Sequence, residues 1–279
     1  MGTVVKIDWR YWPGTPKKVC KINIPYKRKI DYKLIYRLHD FIRKSLENTS
    51  KLDLDEVVVG LSGGLDSVLV ALLCRQALGK DKVTAVTVDL GFKSHREQAD
   101  FARKVTKALD INHKIIRAYK LFRDYDALLK ERGPFTEIDI ITRAIHDSVF
   151  QFADSRMAAV PSTVDKSENL LGRHMEYFYG HFAPLIDLYK TEVNDVASLL
   201  KIPKDVIEQE PGCAEAWRDR EVFGASYDVL DPIIHLITKK KMSAEQLARK
   251  YDIDLAWLKK IEYRLKNQKW RMQTQELLF

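Results

Sequence analysis

The stretch Val57-Val58-Val59-Gly60-Leu61-Ser62-Gly63-Gly64-Leu65-Asp66-Ser67 constrains this chain more than any other part of it. Three consecutive β-branched residues predict a buried strand. The glycine pair predicts a tight turn, and the mostly apolar run over 68–78 predicts a helix. Gly63 and Gly64 tolerate positive φ and let a ligand come close to the backbone. Ser62, Asp66 and Ser67 put two hydroxyls and a carboxylate at the mouth of that helix. Free N–H groups and the helix dipole attract anions there, so the loop reads as a phosphate cradle. A Walker A loop would end in Gly-Lys-Ser or Gly-Lys-Thr, and this loop does not.

The surrounding pattern repeats strand and helix. A helix is predicted over 31–48, where Ile35, Leu38, Ile42 and Leu46 recur at helical spacing. Strands follow at 56–60, 82–89, 113–116 and 158–161, separated by helices at 66–78, 96–109, 121–130 and 138–157. This alternation predicts an α/β fold, a doubly wound parallel sheet in three α/β/α layers. Ligands of such sheets sit outside the carboxyl ends of the strands. The cradle, Asp89 after the second strand and Ser162-Thr163 after the fourth all fall at that edge. Residues 1–30, interrupted by Pro13, Pro16 and Pro25, read as an irregular or short-stranded arm. Residues 31–279 read as one domain.

With 279 residues and 46% hydrophobic content, the chain can bury a full core. No apolar run approaches the roughly 20 residues that span a membrane, and residues 1–28 lack the pattern of a signal peptide. Cys20, Cys74 and Cys213 are scattered, without zinc or disulfide spacing. A reducing, cytoplasmic setting follows. The net charge of +8 is spread over short runs such as Lys27-Arg28-Lys29 and Lys239-Lys240-Lys241, which does not read as a nucleic-acid surface.

Ser-Gly-Gly-x-Asp-Ser resembles the PP-loop of the ATP pyrophosphatases (the adenine nucleotide alpha hydrolase-like fold), which cleave ATP between its α- and β-phosphates. Three later segments sharpen the resemblance: Ser162-Thr163-Val164-Asp165-Lys166-Ser167-Glu168, Asp187-Leu188-Tyr189-Lys190-Thr191-Glu192-Val193 and Ser226-Tyr227-Asp228-Val229-Leu230-Asp231. In this order they resemble the ammonia-dependent NAD synthetase family. The resemblance implies a homodimeric carbon–nitrogen ligase that adenylates deamido-NAD with ATP and Mg²⁺ and lets ammonia displace AMP. Residue by residue, it implies ATP contacts at Ser62, Gly63, Gly64, Asp66, Ser67, Asp89, Arg143, Thr163 and Lys190. It also implies Mg²⁺ ligation by Asp66 and Glu168, with Asp66, Glu168 and Lys190 as the catalytic set.

The acceptor side departs from the family. Asp165 stands where asparagine is common, and an acidic Gly-Asp-Gly segment is replaced by the aromatic Tyr177-Phe178-Tyr179-Gly180-His181-Phe182. The loop Pro211-Gly212-Cys213-Ala214-Glu215-Ala216-Trp217-Arg218 lacks the family's Gly-Gln pair. Asp165 and Cys213 are therefore candidate acceptor-side residues. A second reading stays open: a PP-loop enzyme acting on another small molecule or a tRNA base, as amide ligase or as sulfur transferase through Cys213. A nucleotide-binding module without catalysis is the third.

Overall fold

The computed structural model of the chain describes residues 12–128, 136–173, 180–212 and 218–271. Its first half runs α1 (Tyr32–Thr49), β1 (Glu56–Gly60), α2 (Leu65–Leu78), β2 (Val83–Asp89), α3 (Lys93–Leu109), β3 (Asn112–Arg117), α4 (Tyr119–Leu128), α5 (Thr136–Asp154) and β4 (Ala158–Ala159). The second half is helical: α6 (Lys166–Leu171), α7 (Lys190–Leu199), α8 (Lys204–Ile207), α9 (Asp219–Phe223), α10 (Tyr227–Thr238), α11 (Ala244–Tyr251) and α12 (Leu255–Arg271).

The valines of β1 explain the layering. Successive strand residues face opposite sides of a sheet. Val57 and Val59 join a core with α1, α2 and α7, whereas Val58 joins Ile141, Ala144 and Val149 of α5 on the other face. All three are fully buried. A strand covered on both faces needs a continuous apolar run, which is why β1 does not alternate. The strands are parallel in the order β3-β2-β1-β4, with Val57 opposite Val83 on one side and Ala159 on the other. The fold is the expected doubly wound α/β type.

Most element boundaries move little from the sequence reading. Asp31 caps α1 by accepting from Leu34 N at 3.2 Å. Gly79, at φ 87°, ends α2. Strand β4 is shorter than the predicted 158–161, because past Ala159 the chain leaves β1. It pairs instead with the segment around Phe182: His181 N donates to Val160 O and Ser162 N to Phe182 O, both at 2.7 Å. That turn carries Ser162 and Thr163 to the sheet edge.

Within residues 12–30 the arm forms no helix or strand. Trp12 and Ile22 are buried in a separate core made with α9–α12. Cys74 lies wholly inside the main core, where burial pushes its thiol up to about 12, so it packs as an apolar residue.

Candidate active site

Strand β1 delivers the loop Ser62-Gly63-Gly64 to the carboxyl edge of the sheet. Gly63 sits at φ +87°, and a Cβ there would lie 3.1 Å from Phe101 Cδ1. Gly64 has φ −71° and precedes the first turn of α2, without a side-chain cap on that helix. Positive φ is thus used at Gly63 alone. Ser67 Oγ donates to Gly64 O at 2.8 Å and lies 3.3 Å from Ser62 Oγ, which fixes both hydroxyls at the helix mouth.

The loop opens on a cleft of about 1380 Å³. Ser62, Gly63, Gly64, Asp66, Ser67, Thr163, Glu168 and Lys190 all line it. Its walls come from α3, α5 and the segment 207–212, and its far side from Arg173, Arg218, Asp219 and Tyr227.

Lys190, the first residue of α7, organises the floor. Its Nζ lies 2.7 Å from Asp66 Oδ2, 2.7 Å from Asp165 Oδ2 and 2.9 Å from Glu168 Oε1. The lysine side chain is only 2% exposed. Burial opposes its charge, but the three carboxylates outweigh this and hold its pKa well above the ordinary lysine value. Burial pushes Asp165 up to about 6 despite the Lys190 charge. Glu168 is raised well above the carboxylate range for the same reason.

Asp165 and Glu168 form a reciprocal cap at the start of α6. Glu168 N donates to Asp165 Oδ1 at 2.9 Å, and Asp165 N to Glu168 Oε2 at 3.3 Å. Glu168 therefore both caps the helix and faces the cleft.

One lysine against three carboxylates leaves two negative charges uncompensated when all are ionised. Asp66 Oδ1 is buried without a hydrogen-bond partner. Hard oxygen donors, excess negative charge and an orphaned carboxylate oxygen fit a divalent cation such as Mg²⁺. Among the described residues no group of three or more His, Cys, Asp or Glu side chains forms a cage for a metal. Mg²⁺ commonly takes one or two carboxylates and completes its shell with phosphate oxygens and water.

Three of the residues singled out in the sequence lie off the main cleft, and a fourth, Cys213, lies outside the described residues. Asp165 has no exposed surface and does not line the cleft. Asp89 lines a separate cleft of about 420 Å³ with Arg96, Arg103 and Arg117, and its Oδ1 accepts from Gly91 N at 2.8 Å. Arg143 is exposed on α5, whereas Ile141, Thr142 and Ile145 of that helix line the main cleft. Cys213 lies outside the described residues; Gly212 and Arg218, on either side of that gap, line the cleft. Lys190, given by the resemblance as an ATP contact, lines the cleft. Its ammonium is engaged by carboxylates.

Two buried groupings escaped the sequence reading. Asp219 accepts from Arg173 Nε and from Tyr227 OH, each at 2.7 Å. Asp231 accepts from Ser167 Oγ at 2.6 Å and from Thr191 N at 2.9 Å, and Lys190 N donates to the same Ser167 Oγ at 3.0 Å. The second grouping clamps the starts of α6 and α7 together and so sets Glu168 against Lys190. Its signal was the Asp231 at the end of the Ser226–Asp231 segment, a buried acid among apolar helix residues.

A parallel sheet with helices on both faces and a glycine cradle at its carboxyl edge defines an α/β nucleotide-binding protein of the PP-loop type. Residues 34–275 match the family described as NAD synthase. The chain is 32% identical over 242 residues to the NH(3)-dependent NAD(+) synthetase of Thermococcus sibiricus, a match covering 85% of this chain and 92% of the relative. It is 30% identical over 246 residues to that of Pyrococcus furiosus, covering 86% and 92%. The chain belongs to the NAD synthase family, a family of ATP-dependent ligases.

Solved structures agree on the fold. An NH3-dependent NAD synthetase from Campylobacter jejuni superposes with a TM-score of 0.72 at 24% identity, covering 90% of this chain and all of that one. An NMN synthetase from Francisella tularensis superposes with a TM-score of 0.74 at 18% identity, covering 90% and 99%. No helix among the described residues is long and apolar enough to cross a membrane.

Proposed function

We propose that the chain converts deamido-NAD to NAD with ATP and free ammonia, passing through an acyl-adenylate and releasing AMP and pyrophosphate. The observation that carries this is the Lys190 cluster: three elements bring a carboxylate oxygen of Asp66 and one of Glu168 within 2.9 Å of the Lys190 ammonium at the floor of the cleft, beside the loop.

The chemistry needs such a floor. A carboxylate resists attack by ammonia because oxide leaves poorly; once adenylated, it loses AMP readily. Ser62, Gly63, Gly64 and Ser67 would cradle the departing pyrophosphate with backbone N–H groups and hydroxyls. Thr163 would contact the nucleotide from the other side of the cleft. Lys190 holds Asp66 and Glu168 in place and lowers the cost of their shared charge. Asp66 and Glu168 would hold Mg²⁺, which when bound neutralises polyphosphate charge and orients the α-phosphorus. Asp89 and Arg143 do not line this cleft, so an ATP contact by either needs a change of geometry when ATP binds. The rest of the proposal assigns catalysis to residues 31–279, homodimeric assembly and a cytoplasmic setting. The exposed aromatics Tyr32, Tyr36 and Phe41 of α1 support the assembly.

The test supplies purified protein with ATP, Mg²⁺, ammonium and deamido-NAD, and quantifies AMP, pyrophosphate and NAD. Equal yields of the three support the proposal. AMP without NAD would sink this acceptor while keeping the adenylating chemistry, and a smaller nicotinate nucleotide would then be assayed. In the same assay a Cys213→Ala variant is expected to keep full turnover, which would argue against persulfide chemistry at that residue.

A further inference from the structure

The arm that precedes the family match grips the helix that carries Lys190. Tyr26 OH shares a hydrogen bond with Thr191 Oγ1 at 3.0 Å. Arg28 donates to Glu192 Oε1 twice, from its backbone N at 2.7 Å and from Nε at 3.1 Å, and its Nη2 donates to Asp187 O. Lys27 Nζ pairs with Asp195 at 2.8 Å. The Tyr26 ring packs edge-on against Tyr189 at 5.6 Å. Contacts therefore fall on both sides of Lys190, from Asp187 to Asp195.

Glu192 shows why these contacts matter. Its side chain is 1% exposed, and its second oxygen accepts from Tyr189 N at 2.9 Å, closing the first turn of α7. The Arg28 guanidinium is the cation paired with that buried carboxylate. Without it, an unpaired charge would sit under the turn that begins at Lys190, and the turn would relax. The lysine ammonium meets three carboxylates at 2.7–2.9 Å, so a shift of its backbone breaks them together.

We infer that residues 26–28 form a strap that positions Lys190, with Tyr26 and Arg28 as positioning residues for the adenylation step. The inference rests on the reading of Lys190 as part of the adenylating site. Residues outside the family match thereby position the catalytic machinery without entering it. Neither residue touches the cleft, so each acts through α7.

The experiment compares Arg28→Met, Arg28→Lys and Tyr26→Phe with Asp252→Asn, which breaks the arm's Lys18 contact far from α7. Steady-state kinetics, thermal midpoints and hydrogen exchange of the Lys190 and Thr191 amides are measured on the full chain. Arg28→Met is expected to lower kcat about tenfold with KM for ATP nearly unchanged, and to speed exchange of the two amides by a similar factor. Arg28→Lys recovers most of kcat, and Tyr26→Phe, which keeps the fold, shows a smaller loss of the same kind. Asp252→Asn, which weakens only an exposed ion pair, alters neither kcat nor the two amides. Wild-type kcat and exchange in both Arg28→Met and Tyr26→Phe would overturn the strap, as would an equal loss in Asp252→Asn. A wild-type protein that forms no AMP overturns the functional reading instead; the exchange comparison still decides the strap.

Discussion

Lys190 Nζ lies 2.7 Å from Asp66 Oδ2, across 124 positions of sequence. The contact joins the first turn of α2 to the first turn of α7. Lys190→Met strands three carboxylates in a buried site. The expected cost is about 3 kcal/mol of stability, since breaking a buried ion pair leaves an uncompensated charge. Adding Asp165→Asn is expected to restore part of that stability, and none of the activity. Urea unfolding of the single and double variants checks this; equal stability of the two would contradict it.

Asp66→Asn keeps an oxygen for Lys190 but removes the charge that a cation needs. AMP release is expected to fall by at least about 100-fold, with the Mg²⁺ concentration for half-activity moving upward. A Mg²⁺ titration of AMP formation reads both. Unaltered Mg²⁺ dependence would dismiss Asp66 as a ligand.

Gly63→Ala tests the cradle. At φ +87° an alanine is strained, and its Cβ would press on Phe101. A loss of about 1–2 kcal/mol is expected from the backbone term, with a raised KM for ATP. Trimming Phe101 to alanine as well relieves the contact but not the strain, so only part of the stability returns. Full recovery would show that φ is not the constraint.

Asp231 gives a pH signature. Burial raises its pKa to about 7, against Ser167 and Thr191, which lower it. An ordinary aspartate titrates near about 3.9. The folded state therefore binds this proton more tightly than the unfolded chain does. Its contribution is full below about pH 4 and is lost as pH rises through about 7, on the order of 4 kcal/mol in total. Asp231→Asn should flatten that part of the stability profile, measured by denaturation from pH 4 to 8. A slope unchanged by the substitution would assign it to another group.

Arg143→Ala is expected to change KM for ATP by less than about twofold, as befits an exposed residue off the cleft. A tenfold rise would mean that α5 turns this side chain inward when ATP binds.

The cradle was legible because its chemistry is local: turn, hydroxyls and carboxylate sit within six residues. The sheet was legible because β1 and β2 are buried on both faces and read as apolar runs. Lys190 and Glu168 came from ordered segments, yet nothing in their spacing showed that they meet. Arg143 lies off the cleft for a reason of phase. Apolar residues occupy several sides of α5, so the sequence does not say that Thr142 and Ile145 face the cleft while Arg143 faces away. The Ser167–Asp231 contact joins two helices and Arg173–Asp219 joins a loop to a helix, and such pairings leave no periodic trace.

The arm has a consequence for the order of synthesis. Lys17 N donates to Asp254 Oδ2 across 237 positions, and Asp254 N donates to Lys18 O. At about 5–20 residues per second, ribosomal elongation separates these partners by roughly 10–50 seconds. During that interval Trp12 and Ile22 have no core to enter, while the PP-loop sheet is already complete in sequence. A translating chain therefore exposes a sticky leader until its last helices emerge, and chaperone demand should concentrate there.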